Sequence, residues 1–181
     1  NREDILAFAS QYKRIVFKTL SHPQVSDENG TYVVYTSRVS PDELHTADGL
    51  QDCVVLLQEE IDKDVEYRVT VVGDQVLPCE IRSQESERTS VDWRRYDIAR
   101  TPHFAARLPE PVETACRSIT KALGLHYSAI DLIRDIHGRF WFLELNPNGL
   151  WAWIEILTDL QISRSFAELL IARSLAYPRQ P

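Results

Sequence analysis

Two short apolar runs, residues 129–133 (AIDLI) and 139–145 (RFWFLEL), sit either side of a His137-Gly138 turn, and each carries a carboxylate. Runs of this kind joined by a glycine-containing turn spell strand, turn, strand. An acid flanked by Phe142, Leu143 and Leu145 is costly to bury unpaired, so whatever forms around this hairpin must give the acid a partner. Period-2 alternation places Phe142, Glu144 and Asn146 on one side of the second strand, and Asp131 can share that side across the turn.

Two carboxylates and an amide oxygen converging from neighbouring strands make an all-oxygen set. It suits a hard cation that keeps water and nucleotide phosphate oxygens in its other positions, which describes Mg²⁺. The plainer alternative is that Asp131 pairs with Arg134 or Arg139 while Glu144 faces solvent.

Around this hairpin the chain reads as a mixture of helices and mostly antiparallel strands. Residues 2–12 carry Ile5, Leu6, Phe8 and Ala9 at helical spacing. Residues 15–17 form a β-rich run ending on Lys18, residues 21–30 (SHPQVSDENG) a polar loop, and residues 31–36 (TYVVYT) a second strand. Strand, loop and strand there predict a hairpin. Residues 40–44 (SPDEL) start a helix with a cap, a proline and two acids. Residues 53–58 (CVVLLQ) are a buried strand. Residues 66–73 and 76–81 pair around Gly73-Asp74, with Pro78 marking an edge strand or bulge.

Residues 84–107 are a long irregular connection with Trp93 and Tyr96 embedded; such loops are usually functional or mobile. A helix follows over 110–124, with Pro111 in its first turn and Gly124 as its stop. An amphipathic helix over 162–176 carries Ile162, Phe166, Leu169, Leu170 and Arg173. The order gives an α+β class with helices on one face of each sheet.

Composition sets the outer bounds. The 181 residues suffice for one substantial domain or two small subdomains. With 44% hydrophobic and 26% charged residues, and no membrane-length apolar run, the chain reads as cytoplasmic, with no membrane partner. A net charge of −7 argues against nucleic acid as a partner. Cys53, Cys79 and Cys116 are too widely spaced for a metal knot, and the five histidines are equally scattered. The chain opens at Asn1 and has no methionine, so an N-terminal portion is expected to lie outside it.

Lysine is scarce, with four residues, 13, 18, 63 and 121, against sixteen arginines. Lys18 ends an apolar strand before a polar loop and can offer phosphate a point charge, or simply snorkel to water. Gln58 and Glu59 follow an apolar run, with Ile61 and Glu66 beyond; together they can meet an adenine edge and the two ribose hydroxyls, or form a solvated acidic turn. Arg68, Arg82, Arg94 and Arg95 lie on or near one hairpin and its exit loop, where they could hold a substrate carboxylate or its acyl phosphate. Asp92-Trp93-Arg94-Arg95 could equally be a hydrophobic plug with a salt-bridged rim.

Taken in order, Lys18, Gln58-Glu59 with Ile61, Glu66, Asp131 and Glu144-Leu145-Asn146-Pro147 resemble the ATP-grasp fold. The thirteen residues from Asp131 to Glu144 are similar to the D-alanine–D-alanine-ligase-like branch. The resemblance implies that Lys18 holds phosphate oxygens, residues 58–61 the adenine and Glu66 the ribose, while Asp131, Glu144 and Asn146 bind magnesium. It also implies a small subdomain over 1–60, a large one over 61–181, and a pre-ATP domain absent from the chain.

A narrower resemblance spans nearly the whole chain. Val34-Tyr35-Thr36, Lys63 before Glu66-Tyr67-Arg68-Val69, residues 81–84, Val91-Asp92-Trp93-Arg94, residues 129–133 and Asn146-Pro147-Asn148-Gly149 followed by Trp151 look like the ATP-grasp maturases of graspetides (microviridin-type peptides), particularly their actinobacterial branch. That family would use ATP and Mg²⁺ to activate Asp or Glu side chains of a ribosomal precursor peptide, leader and core. A Ser/Thr hydroxyl or Lys amine then closes a macrocyclic ester or amide. Arg68 and Arg94, with Arg82 third, would serve the substrate carboxylate. A homodimer is compatible with the sequence. Leu150 departs from the glutamine usual after Asn-Pro-Asn-Gly, and residues 21–30 lack the family's glycine density. The rival readings are another ATP-grasp carboxylate–amine ligase, acting on a protein tail or small molecule, and a non-catalytic peptide-binding module.

Overall fold

The computed structural model of the chain describes residues 2–19, 24–47, 54 and 56–176. Two compact units emerge, Asn1–Asp62 with Glu85–Ile98, and Lys63–Gln84 with Ala99–Pro181. No helix among the described residues is long and apolar enough to cross a membrane.

The first unit holds α1 (Arg2–Gln11), β1 (Ile15–Lys18), β2 (Gln24–Asp27), β3 (Gly30–Val33), β4 (Ser37–Val39), α2 (Pro41–Thr46) and β5 (Leu56–Glu59). A three-stranded antiparallel sheet runs β4-β1-β5. Ile15 faces Val39 and Glu59 across its ladders and packs with Ala9 of α1 and Leu44 of α2, so both helices cover that face. Ser40 caps α2 in a reciprocal box: its hydroxyl accepts from the Glu43 amide at 3.2 Å, and Glu43 accepts from the Ser40 amide at 2.7 Å.

The hairpin expected between 15–18 and 31–36 does not form. β1 pairs with β4 and β5 instead, and residues 24–27, expected as loop, pair with β3 across Glu28-Asn29. Every residue of β3 is exposed. A strand that buries no face does not specify its partner. Residues 21–23 and Cys53 lie outside the described residues, and the run at 53–58 is strand over Leu56–Glu59.

The second unit holds β6 (Lys63–Val72), β7 (Gln75–Ile81), β8 (His103–Ala105), α3 (Glu110–Ala122), β9 (Tyr127–Asp135), β10 (Phe140–Asn146), α4 (Ala152–Thr158) and α5 (Ile162–Ala176). Its sheet is antiparallel throughout, in the order β10-β9-β6-β7-β8. Val65, Tyr67, Val69 and Val71 of β6 join Ile130 and Leu132 of β9 against Cys116 of α3. Each aliphatic side chain buried there contributes about 1.5–3 kcal/mol, so the two central strands anchor the unit.

Helices were expected on one face only, but the opposite face is covered too. It presents Val72 and Tyr127, and α5 lies on it, with the Tyr127 and Phe166 rings 5.0 Å apart. Pro78 was read as an edge or bulge residue. β7 is one strand in from the edge: short β8 lies outside it, and the Pro78 carbonyl accepts from the Ala106 amide at 3.0 Å. Three residues inside an irregular connection carry too little pattern to announce that edge strand.

The β9–β10 turn is held by Asp135. Its carboxylate accepts from the His137 and Arg139 amides at 2.9 Å each, from Arg139 Nε at 2.8 Å and from Trp141 Nε1 at 2.9 Å. Gly138 takes a φ of 80° that a side chain would resist.

Candidate functional site

A bulge in β10 decides which residues meet Asp131. Trp141 pairs with Ile133 and Phe142 with Leu132; the register then shifts, and Glu144 pairs with Asp131 and Asn146 with Ala129. Cross-strand partners share a face. Leu132 belongs to the α3-side core, so Phe142 lies on that side, while Glu144 and Asn146 join Asp131 on the other. The expectation that Phe142 shares a side with Glu144 is therefore corrected. Unbroken alternation from Trp141 would have turned Glu144 towards α3. The extra residue, Leu143, re-aims it.

On that face Arg68 reaches Asp131. Its Nη1 donates to Oδ1 at 2.8 Å and to Oδ2 at 2.9 Å, and both residues are buried. Asp131 thus takes its cation from β6, and the expected alternatives are engaged elsewhere: Arg134 holds Asp64 and Arg139 holds Asp135. Glu66, two residues before Arg68, is buried with Lys63 Nζ 2.8 Å from its Oε1. Glu144 is exposed, and its side chain makes no hydrogen bond or ion pair with a described residue. Asn146 Oδ1 accepts from the Asn148 amide at 2.8 Å.

Burial pushes the Asp131 carboxyl up; Arg68 opposes this by its charge and hydrogen bonds, while Glu144 and Glu66 push further upward. Three carboxylates against two cations leave this face short of positive charge. Among the described residues no three acidic, histidine or cysteine side chains converge tightly enough to hold a metal by themselves. Two carboxylates and one amide match the few protein ligands that Mg²⁺ takes when phosphate and water supply the rest. Arg68 uses one bond to each Asp131 oxygen, and a carboxylate offers about four acceptor sites, so acceptor capacity remains.

Arg82 stands apart. Its Nε donates to Glu80 Oε1 at 3.1 Å and its guanidinium lies 4.8 Å over the Phe104 ring. Glu80 pairs with Tyr67, on the α3 side of the sheet, so the structure does not bring Arg82 to Asp131.

In the first unit, Lys18 pairs with Leu56 and Val16 with Gln58, which puts Lys18 and Gln58 on one face of the sheet. Glu59 pairs with Ile15 and lies on the face of α1 and α2; Ile61 follows β5 half-buried. Arg94 sits in the single turn Trp93–Arg95, gripping Asp92 through Nε at 2.9 Å and Nη2 at 2.7 Å. Asp92, buried, also accepts from the Thr36 amide at 2.9 Å and so ties the turn to the segment before β4. Burial raises the Asp92 carboxyl, but the Arg94 bonds and charge and the Thr36 and Arg94 amides outweigh it and hold the group below the usual carboxylate range. Arg95 donates to Ser37 Oγ at 2.8 Å and lies over Tyr35.

Three residues of the Asp131 face had no role in the sequence reading: Lys63, Tyr127 and Gly149. Only the scarcity of lysine and the Asn-Pro-Asn-Gly string pointed towards two of them.

No protein-family model and no curated protein matches the chain. Solved structures do. A RiPP-associated ATP-grasp ligase from Chryseobacterium gregarium, in complex with ADP and a leader and core peptide, is 31% identical with a TM-score of 0.87, over 99% of this chain and 54% of that one. The macrocyclase MdnC from Microcystis aeruginosa, bound with its precursor peptide MdnA, is 32% identical with a TM-score of 0.80, over 96% and 52%. The ATP-grasp ligase PsnB, complexed with minimal precursor, Mg and ADP, is 20% identical with a TM-score of 0.75, over 95% and 50%, and shares the fold alone. The chain spans about half the length of these proteins. Its α+β architecture is the ATP-grasp fold, and the chain belongs to the ATP-grasp ligases associated with ribosomal peptides, the graspetide-maturase type.

Proposed function

We propose that the protein carrying this chain is a cytoplasmic ATP-dependent carboxylate ligase that cross-links a ribosomal precursor peptide. The observation that carries this reading is the face on which Asp131, Glu144 and Asn146 gather around Arg68. In support, the Chryseobacterium ligase holds ADP with leader and core peptide, and MdnC holds its precursor.

Asp131, Glu144 and Asn146 hold Mg²⁺, which when bound screens the phosphate charge and polarises the transferred phosphorus. Lys18 meets phosphate oxygens. Gln58 and Glu59 meet the adenine edge, Glu59 through its backbone, Ile61 packs on the base and Glu66 meets the ribose. Arg68 faces the charge that develops when a substrate Asp or Glu carboxylate oxygen attacks the γ-phosphorus and ADP leaves. Arg94 is the second candidate for the substrate carboxylate, and Arg82 the third. A Ser/Thr hydroxyl or Lys amine then attacks the acyl carbon, losing its proton as inorganic phosphate departs. Fixed charge and positioning supply most of the acceleration.

The test combines the native-length protein, a candidate precursor peptide, ATP and Mg²⁺, read by intact-peptide mass spectrometry. ATP-dependent loss of one water per ring is the expected result. ATP binding with no mass change across acidic precursor candidates would move the assignment to another carboxylate and acceptor.

A further inference from the structure

Arg68 is a buried guanidinium whose Nε finds no hydrogen-bond partner among the described residues. Its Nη1 is fixed by Asp131, which leaves the orientation of the other arm to packing. The packing surface there is Gly149. A Cβ at this position would stand 2.7 Å from Arg68 Nη2 and 2.5 Å from Ala129 Cβ. Both separations are far inside van der Waals contact. The φ of Gly149 is outside the left-handed region, so space, not backbone conformation, demands the glycine.

Tyr127 completes the arrangement. Its hydroxyl donates to the Gly149 carbonyl and draws that backbone down onto the sheet. Tyr127, Ala129 and Asp131 alternate along β9 and share one face, and Asp131 is the cross-strand partner of Arg68. One strand therefore supplies the anchor for the glycine, the methyl it rests on and the carboxylate that holds the arginine.

We propose that Gly149 is a positioning residue that sets where the Arg68 guanidinium stands, with Tyr127 holding Gly149 in place. This rests on the reading of Arg68 as the cation facing the transferred phosphate. A Cβ at 149 cannot push Ala129 aside, because that methyl has no rotamer. The backbone at 149 must therefore lift from the sheet, and the guanidinium packed beneath it, the end of a long side chain, is displaced as well. A shift of about 1 Å in a positioned charge costs on the order of 10²-fold in rate.

The experiment is a kinetic cycle on ATP-dependent peptide ligation by the native-length protein. Gly149→Ala should lower kcat about 10–100-fold with KM for ATP little changed. Arg68→Lys keeps the ion pair but has no guanidinium to displace, so Gly149→Ala should cost little more in that background. Additive losses would overturn the proposal. Ala129→Gly relieves the 2.5 Å contact alone; recovery of full rate in Gly149→Ala/Ala129→Gly would make Gly149 a packing residue and overturn it too. If Gly149→Ala does not fold, Tyr127→Phe must show a smaller kcat loss with the same dependence on Arg68. A fully active Arg68→Lys would instead sink the reading of Arg68 as the essential cation, whatever Gly149 does.

Discussion

Replacing Arg68 with methionine isolates what the buried pair is worth. The side chain keeps most of its length and loses its charge, leaving Asp131 in the sheet with no described residue bonded to either oxygen. Breaking a buried pair from one side typically costs about 3–5 kcal/mol, mostly the expense of the stranded charge. Burial here is of that kind, since both side chains are 9% exposed. For a chain of this size 1 kcal/mol shifts Tm by about 2–4 °C, so the variant should melt about 6–20 °C lower in the presence of a chelator. Arg68→Met/Asp131→Leu removes both charges and should regain most of that loss, as apolar replacements of buried pairs usually do. Adding Mg²⁺ should restore part of the loss in the single variant, where it can neutralise Asp131, and none in the double. Thermal melts by circular dichroism read all three. A single variant within about 1 kcal/mol of wild type, or a double no better than the single, would refute the reasoning.

Further outcomes follow from other parts of the structure. Deleting Leu143 should leave Mg²⁺-dependent ATP use largely intact, because Phe142 and Glu144 then alternate directly and Glu144 and Asn146 stay on the Asp131 face; loss of that activity in a folded deletion variant would show that the register past the bulge is not what aims them. Asp131→Asn with Glu144→Gln should leave the far-ultraviolet spectrum unchanged and eliminate Mg²⁺-dependent ATP use; normal turnover would remove the metal assignment. The Asp92 carboxyl is held below its ordinary value, so its contribution to stability is complete above the unfolded pKa, about 3.9, and fades as pH falls through the lower folded value. Urea midpoints between neutral and strongly acidic pH should therefore fall more steeply in wild type than in Asp92→Asn, and parallel curves would contradict this.

What the sequence made legible tracks how strongly each element buries a face. The strands over 63–72 and 127–135 are flanked on both sides by packed residues, and their apolar runs announced them. The helix at 110–122 carried a proline at its start and a glycine just past its end. The strand over 30–33 was anticipated from its β-rich residues, but its partner over 24–27 was read as loop; every residue of the second strand is exposed, so backbone bonds are the pair's chief support. The strand at 103–105 was missed for a related reason, being three residues long inside an irregular connection.

The site shows the sharper limit. Asp131, Glu144 and Asn146 were identified by residue type and spacing, and the register does place them on one face. The route to that result, unbroken alternation with Phe142 on the same side, was nevertheless wrong. A bulge shifts every later side chain by one position, and Leu143 does not differ in kind from the apolar residues around it. The partner of Asp131 was hidden for the same reason. Arg134 and Arg139 are nearer in the chain, but Arg134 follows the α3-side parity of Leu132, and Arg139 is taken up by Asp135 at the turn. Arg68, sixty-three residues away, reaches Asp131 because β6 and β9 align them as direct cross-strand partners. Local spacing can thus nominate oxygen ligands, whereas the charge that balances them is a property of strand pairing.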